Sequence, residues 1–424
     1  MQLYQHQIDG LESTKDLNHV AYYWDMGLGK TFMGSEKMMQ LGAKVNLIVC
    51  QKSKIDDWVN HFKQNYSDVS VMDMTTPKAI ENWFDKNGVM LGDEMQVMVI
   101  NYDLIWRRSE LLQLKDFTLM LDESSLIQNE AAKRSKFILK LHPANVILLS
   151  GTPTGGKYER LWSQMHLLGW NISKKMYWNQ YVIVDYLDTV DRSIPIVTGY
   201  KNVDRLKRKM VEHGCQFLKT DEVFDLPLQT FTKVTVSPSK EYRIFRKDKV
   251  VSVGDTELVG DSTLTRMLYE RQLCGQYSEA KLKAFADLVE STEDRLIVFY
   301  NFTEELKQLQ IMASGDLDRT TSIVNGSIKD LSAYEKYDNS ITFIQYQAGA
   351  MGLNLQKANK VIYYTLPLSS ELFEQSKKRI HRIGQDRPCF YYIMMCKGSV
   401  EEKILETLEM RQDFTEKLFE KDEI

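Results

Sequence analysis

A glycine-rich loop near the start of the chain has the residue types and spacing to bind phosphates. The string DMGLGKT follows a short apolar run and precedes a helix-forming stretch. Gly27 and Gly29 let the backbone pass close to a phosphate, and a helix N-terminus adds positive potential. Lys30 can reach a β- or γ-phosphate, and Thr31 can offer its hydroxyl to Mg²⁺. Because Trp24 stands where the strict pattern has its first glycine, a glycine-rich turn that caps a helix is the alternative.

A second candidate group is an acidic pair further along the chain. The string LMLDESS puts Asp122 and Glu123 at the carboxyl end of an apolar run of strand length. Ligands of open α/β sheets bind at these ends. Asp122 can hold Mg²⁺ through its water shell, and Glu123 can orient and polarise an attacking water. A solvated acidic loop is the alternative, but a glycine-rich loop in the same lobe favours the catalytic interpretation.

A third candidate group is a pair of arginines in the string KKRIHRIGQ. Arg379 and Arg382 are three residues apart, so they share one face if the segment is helical. An arginine that contacts a transferred phosphoryl group can accelerate its transfer by about 10³–10⁵-fold. Without the other motifs, a basic helix face exposed to solvent is the simpler interpretation.

The elements that must position these groups are strands and helices in alternation. Short apolar runs alternate with amphipathic stretches over the first part of the chain, lapse, and later resume. This pattern predicts α/β lobes, each with a parallel sheet that is buried on both faces. We expect one lobe at 1–170 and another at 230–424, with a helical linker or insertion at 171–229. The runs that predict strands are 45–50, 97–101, 118–122, 146–150, 295–300, 341–346, 360–365 and 390–396.

Composition limits the class of protein and its partners. The 424 residues are 43% hydrophobic and 26% charged, which is typical of a globular protein. The net charge of −4 shows no overall basicity, so nucleic-acid binding must depend on local patches. The five cysteines form no C-x-x-C pair, which argues against zinc and suits a reducing cytoplasm. The apolar runs are too short to span a bilayer and the first residues are polar, so we expect no membrane partner and no signal peptide.

Together these strings resemble the Swi/Snf-type ATPases of helicase superfamily two over nearly the whole chain. In the first lobe, HQIDGLE resembles the adenine-reading segment, DMGLGKT motif I and LIVCQKSKIDDWVNHF motif Ia. LDESSLIQN resembles the DEAH-type box of motif II, and SGTPTGG resembles motif III. In the second lobe, LIVFYNFTEEL, QAGAMGLNLQKANKVIYY and QSKKRIHRIGQ resemble motifs IV, V and VI. The last string is the most specific, and the resemblance implies an α/β fold of two RecA-like parallel-sheet lobes in tandem.

The resemblance also implies a role for residues in each motif. ATP binding is assigned to Gln7, Met26, Gly27, Leu28, Gly29, Lys30 and Thr31. Catalysis is assigned to Lys30, Asp122, Glu123, Arg379 and Arg382, with Mg²⁺ held by Thr31 and Asp122. Coupling of the nucleotide state to the grip on nucleic acid is assigned to Ser150, Gly151, Thr152, Gly352, Asn354 and Gln385. The two arginines would point from the second lobe to ATP held by the first.

Three residues depart from the family pattern. Ser125 stands where many relatives have a histidine at the end of the box, so the coupling between motifs II and III is expected to differ. Lys378 precedes the first arginine of motif VI where relatives often have aspartate. Gln347 stands where an arginine is common in motif V, which affects a nucleic-acid contact and not the ATPase.

The resemblance implies an ATP-driven motor that moves along double-stranded DNA without obligatory strand separation. A motor that steps on any sequence should hold phosphates, so basic side chains are candidate contacts. The candidates are Lys52, Lys54, Lys201, Arg205, Lys207 and Arg208, and each is equally explicable as an ordinary surface cation. Single-stranded DNA and RNA are alternative tracks.

Other functions fit parts of the same string of motifs. One is a strand-separating helicase on DNA or RNA, and another is an ATP-gated DNA-binding module with slow hydrolysis. An unrelated P-loop kinase would leave residues 347–385 unexplained. We expect a motor without appended domains that is a monomer when free, in the cytoplasm of a bacterial or phage-infected cell.

Overall fold

Two compact units make up the chain, whose computed structural model describes residues 3–87, 94–188, 193–349 and 353–419. Most of the first unit is the chain before Phe224, and the second unit is Phe224–Asp413. The first unit therefore extends beyond the boundary expected at residue 170. Among the described residues, none of the helices is both long enough and apolar enough to cross a membrane.

The first unit alternates strands and helices. Its strands are β1 His19–Trp24, β2 Val45–Cys50, β3 Val69–Asp73, β4 Met95–Asn101, β5 Thr118–Asp122, β6 Asn145–Leu149, β7 Val182–Asp188, β8 Ser193–Tyr200 and β9 Cys215–Leu218. Its helices are α1 Gln5–Ser13, α2 Lys30–Leu41, α3 Ile55–Asn65, α4 Pro77–Asn87, α5 Tyr102–Ile105, α6 Lys133–Ile138, α7 Trp162–Leu167, α8 Lys174–Tyr181 and α9 Val203–Glu212. Within the described residues, the main sheet is parallel and has the order β3-β4-β2-β5-β6-β1-β9.

The segment expected to be a helical connection contains strands as well as helices α8 and α9. Strands β7 and β8 form an antiparallel hairpin, and β9 pairs in parallel with β1 at the edge of the main sheet. β9 has only four residues, CQFL, so it carries no periodic signal of its own. Its pairing with β1 explains why this segment belongs to the first unit.

The second unit repeats the architecture. Its strands are β10 Gln229–Val236, β11 Val250–Val253, β12 Thr256–Val259, β13 Leu296–Tyr300, β14 Thr321–Val324, β15 Lys329–Asp330, β16 Ile341–Gln345, β17 Lys360–Tyr363 and β18 Cys389–Cys396. Its helices are α10 Lys240–Asp248, α11 Thr263–Gly275, α12 Glu279–Glu290, α13 Thr303–Ile311, α14 Ser332–Lys336, α15 Tyr346–Gly349, α16 Ser370–Lys377 and α17 Val400–Phe419. The main sheet of the described residues runs β10-β18-β17-β13-β16-β14-β15 and is parallel except for the β14–β15 pair.

The central strands explain why the apolar runs of the sequence are continuous and not alternating. Every residue of β2, β6 and β13 is buried, because helices cover both faces of each sheet. Each of the apolar runs named above is a strand. The prediction of two RecA-like parallel-sheet lobes is confirmed.

Three neighbouring strands position the candidate residues of the first lobe. β5, β6 and β1 are adjacent and parallel, with Asp122 paired to Leu149 and Leu149 to Tyr22. The carboxyl ends of all three strands therefore lie at one edge of the sheet. The glycine-rich loop, the acidic pair and the SGTPTGG segment each follow one of these strands.

Candidate active site

The glycine-rich loop connects β1 to α2. Gly27 and Gly29 have φ angles of +93° and +72°, in the left-handed region that favours glycine. A Cβ atom at Gly29 would lie 2.3 Å from Nε2 of Gln7, so this position also has no room for a side chain. The two glycines that the sequence singled out are therefore required by the loop's conformation.

Gln7 is attached to this loop by hydrogen bonds. Its side-chain Nε2 donates to the carbonyls of Leu28 at 3.4 Å and Gly29 at 3.3 Å. Its Oε1 accepts from the backbone N–H of Tyr4 at 2.9 Å. The structure therefore brings together two parts of the predicted ATP site that are far apart in the sequence.

The ammonium group of Lys30 lies at the base of the loop. Its Nζ donates to the carbonyls of Trp24 at 2.7 Å and Asp25 at 3.0 Å. A Cβ atom on Gly151 would lie 3.5 Å from this Nζ and 3.3 Å from the side chain of Met26. The SGTPTGG segment thus lies directly beside the glycine-rich loop.

Asp122 is held by a residue that the sequence motifs did not assign to the site. Its Oδ2 accepts a hydrogen bond from Nε1 of Trp58 at 2.8 Å. Burial raises the pKa of Asp122, and the bond from Trp58 acts in the opposite direction. Trp58 lies on α3 and is buried. Its indole N–H is nevertheless the contact that orients the carboxylate.

Glu123 is held by two hydroxyl groups. Its φ is +62°, and its Oε1 accepts from the hydroxyl of Ser125 at 2.9 Å and from that of Ser150. Ser150 Oγ also accepts from the backbone N–H of Thr152 at 3.1 Å. Burial raises the pKa of Glu123, while the bond from Ser150 lowers it. Ser125, which replaces the family histidine, therefore bonds to the glutamate of its own box.

The oxygen ligands at this edge suit a magnesium ion. Mg²⁺ prefers carboxylate, hydroxyl and water oxygens to nitrogen or sulfur. Oδ2 of Asp122 accepts the hydrogen bond from Trp58, whereas no donor among the described residues reaches Oδ1. Thr31 is exposed in the first turn of α2, after the glycine-rich loop. The side chains present therefore fit the predicted Mg²⁺ ligands.

The second lobe differs from the helical expectation for motif VI. α16 ends at Lys377, so Arg379 and Arg382 lie beyond the helix and the condition for a shared helix face is not met. Arg379 is buried, whereas Arg382 is half-buried. NH1 of Arg382 donates to the carbonyl of Leu353 at 3.5 Å. Burial lowers the pKa of Arg382. The turns leave the two guanidinium groups in different environments.

Gln385 connects motif VI to motif V. Its Nε2 donates to the carbonyls of Gln356 at 3.1 Å, Ala358 at 2.8 Å and Ile380 at 3.2 Å. Asn354 is exposed, and Gly352 lies outside the described residues. Gln385, one of the residues predicted to act in coupling, therefore stabilises the backbone of this lobe through its hydrogen bonds.

The candidate nucleic-acid contacts divide into two groups. Lys52, Lys201, Arg205 and Arg208 are exposed, and Lys54 is half-buried and pairs with Asp57 at 2.7 Å. Lys207 is only 9% exposed, which makes it a poorer candidate for a phosphate contact than the exposed cations. The opposite exposures of Lys207 and Arg208 follow from their position on α9, whose inner face packs on the core through Leu206 and Met210.

Comparison with known proteins identifies the family. The SNF2-related domain matches residues 23–279, which is more than half of the chain. The chain belongs to the SNF2-related family. The helicase conserved C-terminal domain follows directly, at residues 280–384. The two matches meet within the second unit, so the family boundaries do not coincide with the structural units.

Two curated relatives of this SNF2-related chain come from a mammal and a bacterium. It is 23% identical over 91% of its length to the SWI/SNF-related matrix-associated actin-dependent regulator of chromatin subfamily A member 1 of Mus musculus. It is 22% identical over 93% of its length to the putative ATP-dependent helicase/translocase YwqA of Bacillus subtilis. The chain spans 40% and 46% of these two relatives, which is less than half of either.

A solved structure is also similar to this chain. The Sulfolobus solfataricus SWI2/SNF2 ATPase core in complex with dsDNA is 20% identical, with a TM-score of 0.46. The match covers 98% of this chain and 92% of that one.

Proposed function

We propose that this chain hydrolyses ATP with Mg²⁺ at the edge of the first sheet and uses the cycle to move along double-stranded DNA. The observation that carries the proposal is the contact of the SGTPTGG segment with both catalytic candidates. Ser150 donates to Glu123, and the neighbouring Gly151 lies against Lys30. Because the phosphate-binding lysine and the candidate general base both contact this segment, they can respond together to the state of the nucleotide.

The side chains have distinct roles in the proposed reaction. Gln7 and the loop from Met26 to Thr31 bind the nucleotide, and Lys30 stabilises charge on its β- and γ-phosphates. Both serines bind Oε1 of Glu123, and no other donor among the described residues reaches Oε2. Oε2 can therefore orient the attacking water and accept its proton. Mg²⁺ held by Thr31 and Asp122 would neutralise charge on the phosphate oxygens.

Movement on DNA is the more specific part of the proposal. Membership of the SNF2-related family supports it, as does the name of the bacterial relative, which includes the word translocase. Exposed basic residues on α9 and before α3 are suited to phosphate contacts that do not depend on base sequence. Arg379 and Arg382 of motif VI are proposed to complete the site when ATP is hydrolysed.

The test is steady-state ATP hydrolysis with no nucleic acid, single-stranded DNA, duplex DNA and RNA. Duplex DNA should stimulate turnover, and Lys30→Ala should lower the stimulated rate by about 10²-fold or more because the phosphates lose their fixed counter-charge. Lys15→Ala is the matched control, since Lys15 is exposed in the same lobe and pairs with Glu12. A triplex-displacement assay then measures movement on duplex DNA directly.

The other outcomes distinguish the alternatives. Stronger stimulation by single-stranded DNA or RNA, together with strand displacement, would favour an unwinding helicase. ATP binding without turnover on any polymer would contradict the motor and leave an ATP-gated binding module.

A further inference from the structure

A buried glutamine joins three segments of the first lobe. Gln164 lies on α7 and is fully buried. Its Oε1 accepts from the hydroxyls of Tyr23 at 3.0 Å and Ser124 at 2.7 Å, and its Nε2 donates to the carbonyl of Pro153 at 2.8 Å. These three partners belong to β1, the acidic box and the SGTPTGG segment.

The bonds of Gln164 close a ring between motifs II and III. The first connection between the motifs is the bond from Ser150 to Glu123. The second runs from Ser124 through Gln164 to Pro153. Because Ser124 follows Glu123 and Pro153 lies three residues after Ser150, two separate connections join the same two short segments. The Ser150–Glu123 bond fixes the carboxylate, whereas the connection through Gln164 fixes the backbone of Pro153.

The ring is built from groups that have few alternative partners. Ser124, Ser150 and Gln164 are buried, so a broken bond leaves a polar group without water to replace its partner. Such a network favours one arrangement of the two segments and resists intermediate ones. The ring therefore links the position of Glu123 to that of the backbone at Pro153.

We propose that Gln164 is a positioning residue that couples the state of the nucleotide site to the response to DNA. The inference rests on the proposed function, since coupling is defined only if DNA stimulates ATP hydrolysis. None of these three hydrogen bonds of Gln164 reaches the glycine-rich loop or the carboxylates of Asp122 and Glu123.

The test compares variants of the full chain. Gln164→Met keeps the length of the side chain and removes all three hydrogen bonds, whereas Ser124→Ala removes only the bond to the box. Each should lower the ratio of duplex-stimulated to DNA-free ATP hydrolysis by about fivefold or more. The double variant should lose no more than the worse single variant, because both changes break the same connection.

Trp162→Phe is the matched control for a structural effect. Trp162 is on the same helix, and its Nε1 donates to the carbonyl of Ile172 at 2.8 Å, outside the ring. Thermal melting of each variant measures the cost in stability. A role in coupling predicts that Trp162→Phe keeps the wild-type stimulation ratio even where it lowers the melting temperature.

Two outcomes overturn the proposal in distinguishable ways. If wild-type protein shows no stimulation by DNA, the proposed function itself fails. If wild-type protein is stimulated and both Gln164→Met and Ser124→Ala keep the wild-type ratio, only the role of Gln164 fails. Ser124→Ala removes a single hydroxyl, so it keeps the test decisive if Gln164→Met does not fold.

Discussion

The carboxylate of Asp122 depends on one side chain from another part of the first lobe. The indole N–H of Trp58 donates to Oδ2, which leaves Oδ1 as the oxygen for a metal or its water. A donor of this kind orients a ligand without touching the metal. The same helix begins directly after Lys54, so a residue next to the candidate DNA contacts also holds the candidate metal ligand.

Replacement of Trp58 should weaken the use of Mg²⁺. Trp58→Phe keeps an aromatic ring in the core and removes the hydrogen bond, so Asp122 loses its fixed orientation. We expect the Mg²⁺ concentration that half-saturates ATP hydrolysis to rise about tenfold. Binding of Mn²⁺–ADP, measured by electron paramagnetic resonance, should weaken in parallel.

Trp83→Phe controls for the loss of an indole bond elsewhere in this lobe. The Nε1 of Trp83 donates to Oε1 of Gln96 at 2.5 Å, away from the acidic pair. An equal rise in the Mg²⁺ requirement for both variants would show that Trp58 acts only through the stability of the lobe.

At the scale of elements, the start of α13 is held by a buried carboxylate. Glu305 accepts from the N–H groups of Asn301 at 3.0 Å and Phe302 at 3.1 Å, and from the hydroxyl of Thr365 at 2.9 Å. Burial raises the pKa of Glu305 from 4.5 to about 7, and these hydrogen bonds offset only part of the shift. The folded protein therefore binds this proton more tightly than the unfolded chain.

The stability of the second lobe should fall as pH rises. A raised pKa contributes stability that is complete below about pH 4.5 and is lost as the pH rises through 7. The side chain in Glu305→Gln is uncharged at every pH and keeps an acceptor oxygen. The free energy of unfolding of this variant, relative to that of the wild type, should therefore increase between pH 5 and pH 8, by about 3 kcal/mol at most. Urea unfolding at both pH values measures the difference.

Glu304→Gln is the control for this experiment. Glu304 is exposed on the same helix and pairs with Lys307 at 2.6 Å. Its replacement should leave the pH dependence of stability unchanged. A Glu305→Gln variant that gains no stability at pH 8 relative to pH 5 would contradict the raised pKa.

Helix α9 gives the proposed DNA contacts a defined face. Arg205 and Arg208 are exposed and three residues apart, so they are neighbours on the helix surface. Replacing each with alanine should weaken duplex binding and lower the slope of log K against log salt by about 0.9 for each phosphate that the protein no longer neutralises. Fluorescence anisotropy at several salt concentrations measures both effects.

Lys209→Ala provides the comparison on the same helix. Lys209 pairs with Glu212, so its removal should change the affinity and the salt slope less. Equal effects of all three replacements would mean that only the overall charge matters.

At the scale of the whole molecule, proposed catalysis needs groups from both lobes. Arg382→Ala should lower the DNA-stimulated kcat by about 10³-fold, because the transition-state charge loses an arginine. Binding of a fluorescent ATP analogue to the first lobe should persist. Measurement of kcat and analogue affinity on the same preparation separates the two steps.

Arg387→Ala is the control in the second lobe. Arg387 is exposed and pairs with Asp294 at 3.0 Å, outside motif VI. If the DNA-stimulated kcat of Arg382→Ala equals that of Arg387→Ala, the proposed catalytic role of motif VI is wrong.

Features that depend on the local order of residues could be predicted before the fold was known. Continuous apolar runs predicted the central strands, because a strand buried on both faces needs apolar residues at successive positions. The glycines of DMGLGKT predicted a loop that needs left-handed backbone, and Gly27 and Gly29 have it. The motif strings identified the family, which the domain matches confirm.

Contacts between segments that are distant in the chain could not be predicted from the sequence and are seen only in the folded protein. Trp58 and Asp122 are 64 residues apart, and Gln164 lies 40 residues from Ser124, so no spacing rule could pair them. The burial of Lys207 depends on which face of α9 packs against the core, and the end of α16 before Arg379 depends on the turns that follow it. The sequence gives the type of residue at each position, whereas a hydrogen bond between two distant positions forms only after folding has brought them together.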